Sequence, residues 1–185
     1  MAEITYQMVL STLQTAGLLV GIIYYLTIMR NSQKNQQMQL ETRQSQLFMQ
    51  LFQYHIDKDR WKDGWKLNEM RWDDYDDFTR KYDSSVNLEN FAQRYNHWYF
   101  YEGMGLLLKK ELVDKEMIYH LLSAGFGVLM DWDKFGPIIK EMRAQLGQPD
   151  LFMWFEYLAD EMMKMTVEKG NPWIQLDTGG VLIRE

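Results

Sequence analysis

Between Met8 and Met29 the chain runs for 22 residues, MVLSTLQTAGLLVGIIYYLTIM, without one charged side chain. At about 1.5 Å per residue, a helix over that stretch is roughly 33 Å long, enough to cross a hydrocarbon core of about 30 Å. A cleaved signal peptide is the first competitor. It needs a positive leader and a small-x-small cleavage site, whereas MAEITYQ carries Glu3 and no Lys or Arg, and no such site follows the run. The second competitor is the buried core helix of a soluble bundle, because Ser11, Thr12, Gln14 and Thr15 dilute the first half of the segment. The expectation is an uncleaved transmembrane helix over 8–29 behind a short tail, 1–7.

The flanks orient such a helix. Arg30, Lys34 and Arg43 follow it and no basic residue precedes it, so the positive-inside bias puts the N-terminus outside the cell membrane and the C-terminal bulk in the cytoplasm. Tyr24 and Tyr25 fit the headgroup region at that end. Within the segment Gln14, Gly17, Gly21 and Tyr24 recur at helical spacing, giving one face with a GxxxG step and a hydrogen-bonding amide. That face, through Gln14, Gly17 and Gly21, is the expected membrane-helix contact. Single GxxxG patterns are common without being contacts.

From Arg30 the chain reads RNSQKNQQMQLETRQSQ, with no Gly or Pro and many good helix formers, so the helix is expected to continue as a polar juxtamembrane stalk over 30–45. Leu40, Leu47 and Tyr54 are seven apart with Leu51 between the last two. Two heptads fall short of a coiled coil, but the four residues form a candidate juxtamembrane contact. The apolar cluster from Leu47 to Phe52 is where the stalk should dock on a folded domain.

Composition bounds that domain. With 20 basic against 26 acidic residues and no cysteine among 185, the chain is neither a basic nucleic-acid binder nor a disulfide scaffold, and it has no thiol nucleophile or cysteine-ligated metal. Apolar residues beyond 46 recur every three or four positions, which predicts helices. Short helices carry Trp61, Trp65, Trp72, Tyr75 and Phe78, and Asn87 caps a helix to about Lys110. Asp114 caps one over 115–130, Asp133 starts another that Pro137 opens or kinks and Gly147 stops, and the last runs from Pro149-Asp150 to Gly170. Residues 171–185 read as a tail. Seven Trp, eleven Tyr, nine Phe and 14 Met suit a compact helical core or an aromatic-lined pocket.

Chemistry is sparse. Glu116 and His120 share a helical face but are two ligands short of a metal site, and they read as a surface pair. His97, among Trp98, Tyr99 and Tyr101, reads as a partly buried, hydrogen-bonded histidine. The Asp73 to Asp77 cluster surrounds rings at Trp72, Tyr75 and Phe78, so its carboxylates should face water. Asp131-x-Asp133-x-x-Gly136 begins like a calcium loop and fails at Phe135 and Met142. No GxSxG, Walker A or GxGxxG motif is present, and Gly103 and Gly105 read as helix-packing glycines. No metal or cofactor is implied.

The stretches LQTAGLLVGIIYYLTIMRNSQKNQQMQLETRQSQLFMQLF (13–52), the Trp-rich segment at 65–78 and YFYEGMGLLLKKELVD (99–114) resemble small single-pass membrane proteins of archaea and bacteria grouped as a domain-of-unknown-function family. The resemblance spans roughly residues 13 to 160. It implies a membrane helix, a glutamine-rich juxtamembrane helix and a helical cytoplasmic domain, and it brings no catalytic or binding residues. The fold expected is therefore all-α, with the compact aromatic-rich domain over 46–170. The function expected is a non-enzymatic interaction or scaffold module whose partners are the lipid bilayer and either a second copy or another membrane protein. The alternative is a membrane-tethered effector or enzyme with an unrecognised pocket, for which His97 and Glu102 are the candidates.

Overall fold

The computed structural model describes residues 5–170, which form seven α-helices and, among those residues, no strand. Two units meet between Gln46 and Leu47.

The first unit belongs to α1 (Tyr6–His55), one unbroken helix of 50 residues through the apolar segment and the polar stretch alike. No residue of α1 is buried. Leu18, Val20 and Ile23 are 68%, 66% and 64% exposed, so among the described residues nothing covers the segment as a core would. Burying each such side chain is worth about 1.5–3 kcal/mol, a cost this helix bears in water and recovers in an apolar phase. It is a candidate membrane span by length and hydropathy, a test that a signal sequence also passes. The hydroxyls that dilute its first half bond back along the helix, Thr12 Oγ1 donating to Met8 O at 2.8 Å and Thr15 Oγ1 to Ser11 O at 2.9 Å. Thr27 does the same toward Ile23 O.

In the second unit Leu47, Phe48 and Leu51 pack, half-buried, on an aromatic core. Aspartate and asparagine caps begin the next four helices by accepting first-turn amides. Asp57 opens α2 (Lys58–Glu69), Asp74 opens α3 (Tyr75–Tyr82), Asn87 opens α4 (Leu88–Lys109) and Asp114 opens α5 (Lys115–Leu121). The last two are α6 (Phe126–Leu146) and α7 (Met153–Glu168). Lys134 of α6 closes the far end of α2, its Nζ donating to the carbonyls of Leu67, Asn68 and Met70 at 2.8, 2.6 and 3.1 Å. Helix α4 lies along α7, and Trp98, Phe135, Phe155 and Tyr119 fill the centre. Gly105 permits that approach, because a Cβ there would collide with the Trp154 carbonyl; Gly103 meets nothing within 4 Å, so only one of the two glycines serves packing.

The expected helix over 115–130 is instead interrupted. Ser123, Ala124 and Gly125 follow one another in the left-handed region, at φ 54°, 57° and 80°. Where a Cβ of Gly125 would stand, Met162 Cβ lies at 3.2 Å and Thr166 Oγ1 at 3.3 Å, so the turn sits directly on α7. Helix α6 then starts at Phe126 and carries Asp133 and Pro137 in its interior. Pro137 is tolerated there partly because the residue before it is Gly136, which lacks the Cβ that clashes with a proline ring. Gly147, at φ 63°, ends α6 as expected. Helix α7 starts at Met153 rather than at Pro149-Asp150, and its N-cap, Phe152, offers no side-chain oxygen. Glu102 of α4 supplies one, accepting from Phe155 N at 2.8 Å. The expected C-terminal tail, 171–185, and residues 1–4 lie outside the described residues.

Asp77 also departs from expectation. Asp73, Asp74 and Asp76 face water, but Asp77 is buried and pairs with Arg80 and with Lys81, the latter at 2.5 Å. Those cations and the Asp73 amide hold its carboxyl below the usual range, the Lys81 bond foremost. The i, i+3 ring spacing placed Trp72, Tyr75 and Phe78 inward, and it carried Asp77 beside Phe78 to the same side.

Candidate functional site

Two surfaces have the geometry of a site, one in each unit. On α1, Gln14, Gly17, Leu18, Gly21, Ile22 and Tyr25 line a shallow apolar hollow. A Cβ added at Gly17 or Gly21 would meet nothing within 4 Å. Gln14, Gly17 and Gly21 lie along this hollow, and Tyr25 rather than Tyr24 lines it. Unlike the hydroxyls of the segment, the Gln14 amide makes no hydrogen bond among the described residues, and in an apolar phase an unbonded amide is costly.

The candidate juxtamembrane residues are used differently. Leu47 and Leu51 rest on the core of the second unit, and Tyr54 donates to Asn96 Oδ1 at 2.9 Å with its ring 5.2 Å from Phe100. Leu40 stays exposed.

The second surface is a cavity of about 210 Å³ bounded by α2, α4 and the turn into α6. His97 and Tyr101 stand one turn apart on α4 and meet Asp131 of α6. His97 Nε2 lies 2.7 Å from Asp131 Oδ2, and the Tyr101 hydroxyl donates to that same oxygen at 2.8 Å. Complete burial, with the Asp131 carboxylate beside it, pushes the Tyr101 phenol well above its ordinary value, so it stays a neutral donor. Across the cavity Arg60 lies over two rings, its guanidinium carbon 3.8 Å from the centre of Phe100 and 4.5 Å from that of Tyr54. No carboxylate lies within ion-pair distance of it among the described residues, although the Tyr54 hydroxyl bonds to it and Asp131 supports its charge from further off, and its Nη1 is buried without a hydrogen-bond partner. Burial draws the Arg60 pKa below its usual value, and the same effect, with Arg60 and His97 nearby, lowers that of His55. His55 stacks on the other ring neighbour of Arg60, 6.0 Å from Phe100.

The mouth is aromatic and wet. Trp61 and Trp65 are 53% and 65% exposed, and Phe126 of α6 also lines the cavity and is exposed. Gly64 lines the wall from the middle of α2, where glycine costs about 1 kcal/mol relative to alanine. The nearest atom to a Cβ at Gly64 would be His97 Cε1 at 3.8 Å.

Of the residues suggested by sequence, His97 lies in this cavity and is hydrogen-bonded as expected. Glu102 does not line it; burial raises its pKa, and it serves as the cap of α7. Glu116 and His120 form a solvated pair 3.7 Å apart, with Lys169 also on Glu116. Asp131, Tyr101, Arg60 and His55 were missed. The only signal for Asp131 was the calcium-loop pattern, which is helical here, and nothing local singles out Arg60. Among the described residues no group of His, Asp or Glu converges as a metal site.

An acceptor, a neutral donor and a half-buried cation around an aromatic-mouthed hollow define a helical protein with a polar-lined cavity and one long helix that is apolar in its first half. Residues 11–162 match the model of the domain of unknown function DUF4760, and the chain belongs to that family. No curated protein and no solved structure matches it.

Proposed function

We propose that this protein is a membrane-anchored, non-enzymatic interaction module that associates through the Gln14, Gly17 and Gly21 face of α1 with a second copy or with a partner membrane helix. The observation that carries the reading is the Gln14 amide, unbonded beside two glycines with open space over them. Small residues let helix backbones approach, and an interhelical amide bond satisfies a polar group that lipid cannot. In this reading 8–29 is a single-pass span with the N-terminus outside. Arg30, Lys34 and Arg43 hold the helical domain on the cytoplasmic side. Leu40 remains available beyond the bilayer, whereas Leu47, Leu51 and Tyr54 are committed to the core of the second unit.

The test is purification in gentle detergent followed by native mass spectrometry and crosslinking. A homo-oligomer or a stoichiometric companion is expected. Replacing both Gly17 and Gly21 with Leu should reduce it to the lone chain, and Gln14→Leu should weaken it. Crosslinked species that persist unchanged in the double variant would remove the glycine face as the contact.

A further inference from the structure

We propose that the cavity of the second unit is a binding site for a small organic monocarboxylate with a compact apolar body, the acid meeting Arg60 and the body lying against Trp61, Trp65 and Phe126. This is independent of how α1 associates. Three observations converge on it. Arg60 lines the cavity with its guanidinium against the rings of Tyr54 and Phe100, and no carboxylate lies within ion-pair distance of it among the described residues. A cation lining a partly enclosed cavity attracts an anion, and a planar guanidinium fork suits a carboxylate. Gly64 keeps the wall of α2 open at a position where any other helix former would be favoured and would project toward His97. The aromatic mouth provides apolar surface for the rest of the molecule.

Size and charge narrow the class. About 210 Å³ falls below the usual span of drug-sized sites, roughly 300–1,000 Å³, which points to a single ring or a branched chain. Asp131 shares the cavity, and its charge is already spread over His97 and Tyr101. A monoanion on Arg60 is compatible with it, whereas a phosphate dianion would be repelled. A purely cationic ligand would have to sit beside the Arg60 guanidinium.

The experiment uses the full chain in mild detergent, with tryptophan fluorescence and saturation-transfer NMR as readouts. The probes are benzoate, phenylacetate and 3-methylbutanoate, with benzamide and benzylammonium as neutral and cationic counterparts. Saturable binding of at least one acid is expected, with the benzamide and benzylammonium dissociation constants weaker than that of benzoate by at least about tenfold, the scale of a lost charge-assisted hydrogen bond. Arg60→Gln should erase the preference for the acid. Because Arg60 also packs on two rings, a second variant, Gly64→Leu, keeps the guanidinium and fills the cavity from the next turn of α2, and it should abolish acid binding while the unfolding midpoint is kept. The proposal is overturned if no acid saturates, if benzamide or benzylammonium binds as well as benzoate, or if Gly64→Leu leaves binding unchanged.

Discussion

Gly17 and Gly21 in the first unit and Gly105 in the second are all glycines inside α-helices, yet they occupy opposite environments. Open space surrounds the first two, and a backbone carbonyl of α7 presses on the third. The same contrast runs through whole helices. Residues of α1 from Tyr6 to Gln46 expose leucines, valines and isoleucines and bury none, whereas α4 buries Trp98, Phe100, Tyr101, Met104 and Leu108 along one side. A helix of the second unit is defined by what it packs on within the chain. Among the described residues the apolar half of α1 has no such partner.

Substitutions sharpen that comparison. The largest effect should come from Trp98→Ala, which empties the most voluminous fully buried side chain and should cost about 3–5 kcal/mol, read by urea or thermal unfolding of the second unit. Next is Gly105→Ala, where even one methyl group meets the Trp154 carbonyl and should cost about 1–3 kcal/mol. Gly17→Ala, made in parallel, should leave the unfolding midpoint within about 0.5 kcal/mol. Equal effects at Gly105 and Gly17 would break the contrast.

The smallest effect is a pH dependence at Glu102. Burial raises its pKa above the ordinary 4.5, so the folded state holds that proton more tightly than the unfolded chain. The contribution is present at acid pH and declines as pH rises from 4.5 through the raised folded value. Glu102→Gln keeps an oxygen for the Phe155 amide and removes the buried charge. Stability measured against pH should therefore lose that declining limb in the variant, and an unchanged profile would show that the carboxyl titrates as if exposed.

How legible these features were depended on the distance over which each is set. The long helix, the caps at Asn87 and Asp114 and the stop at Gly147 follow from neighbouring residues and were readable. The break at 122–125 was not, because only Gly125 signals it and apolar spacing runs on to either side. Asp77 was placed in water because the three-residue spacing of Trp72, Tyr75 and Phe78 was read as turning the rings one way and all the aspartates the other, while its position beside Phe78 carried it inward with Arg80 and Lys81 as counter-charges. The cavity was the least legible feature. His97 stood out as an imidazole among aromatics, but Arg60, Tyr101 and Asp131 are brought to it by packing of α2, α4 and α6, which no local pattern encodes.

The turn at Ser123, Ala124 and Gly125 ties backbone geometry to the cavity. Left-handed backbone costs an L-residue about 1–2 kcal/mol, and here two such residues adopt it in succession before the glycine. A regular helix through these positions would relieve that cost, and it would also displace Leu122, Ser123, Phe126 and Gly127 from the wall they form. The strained turn and the hollow therefore belong to one conformational state, and a molecule bound in the hollow would stabilise the unfavourable backbone along with it.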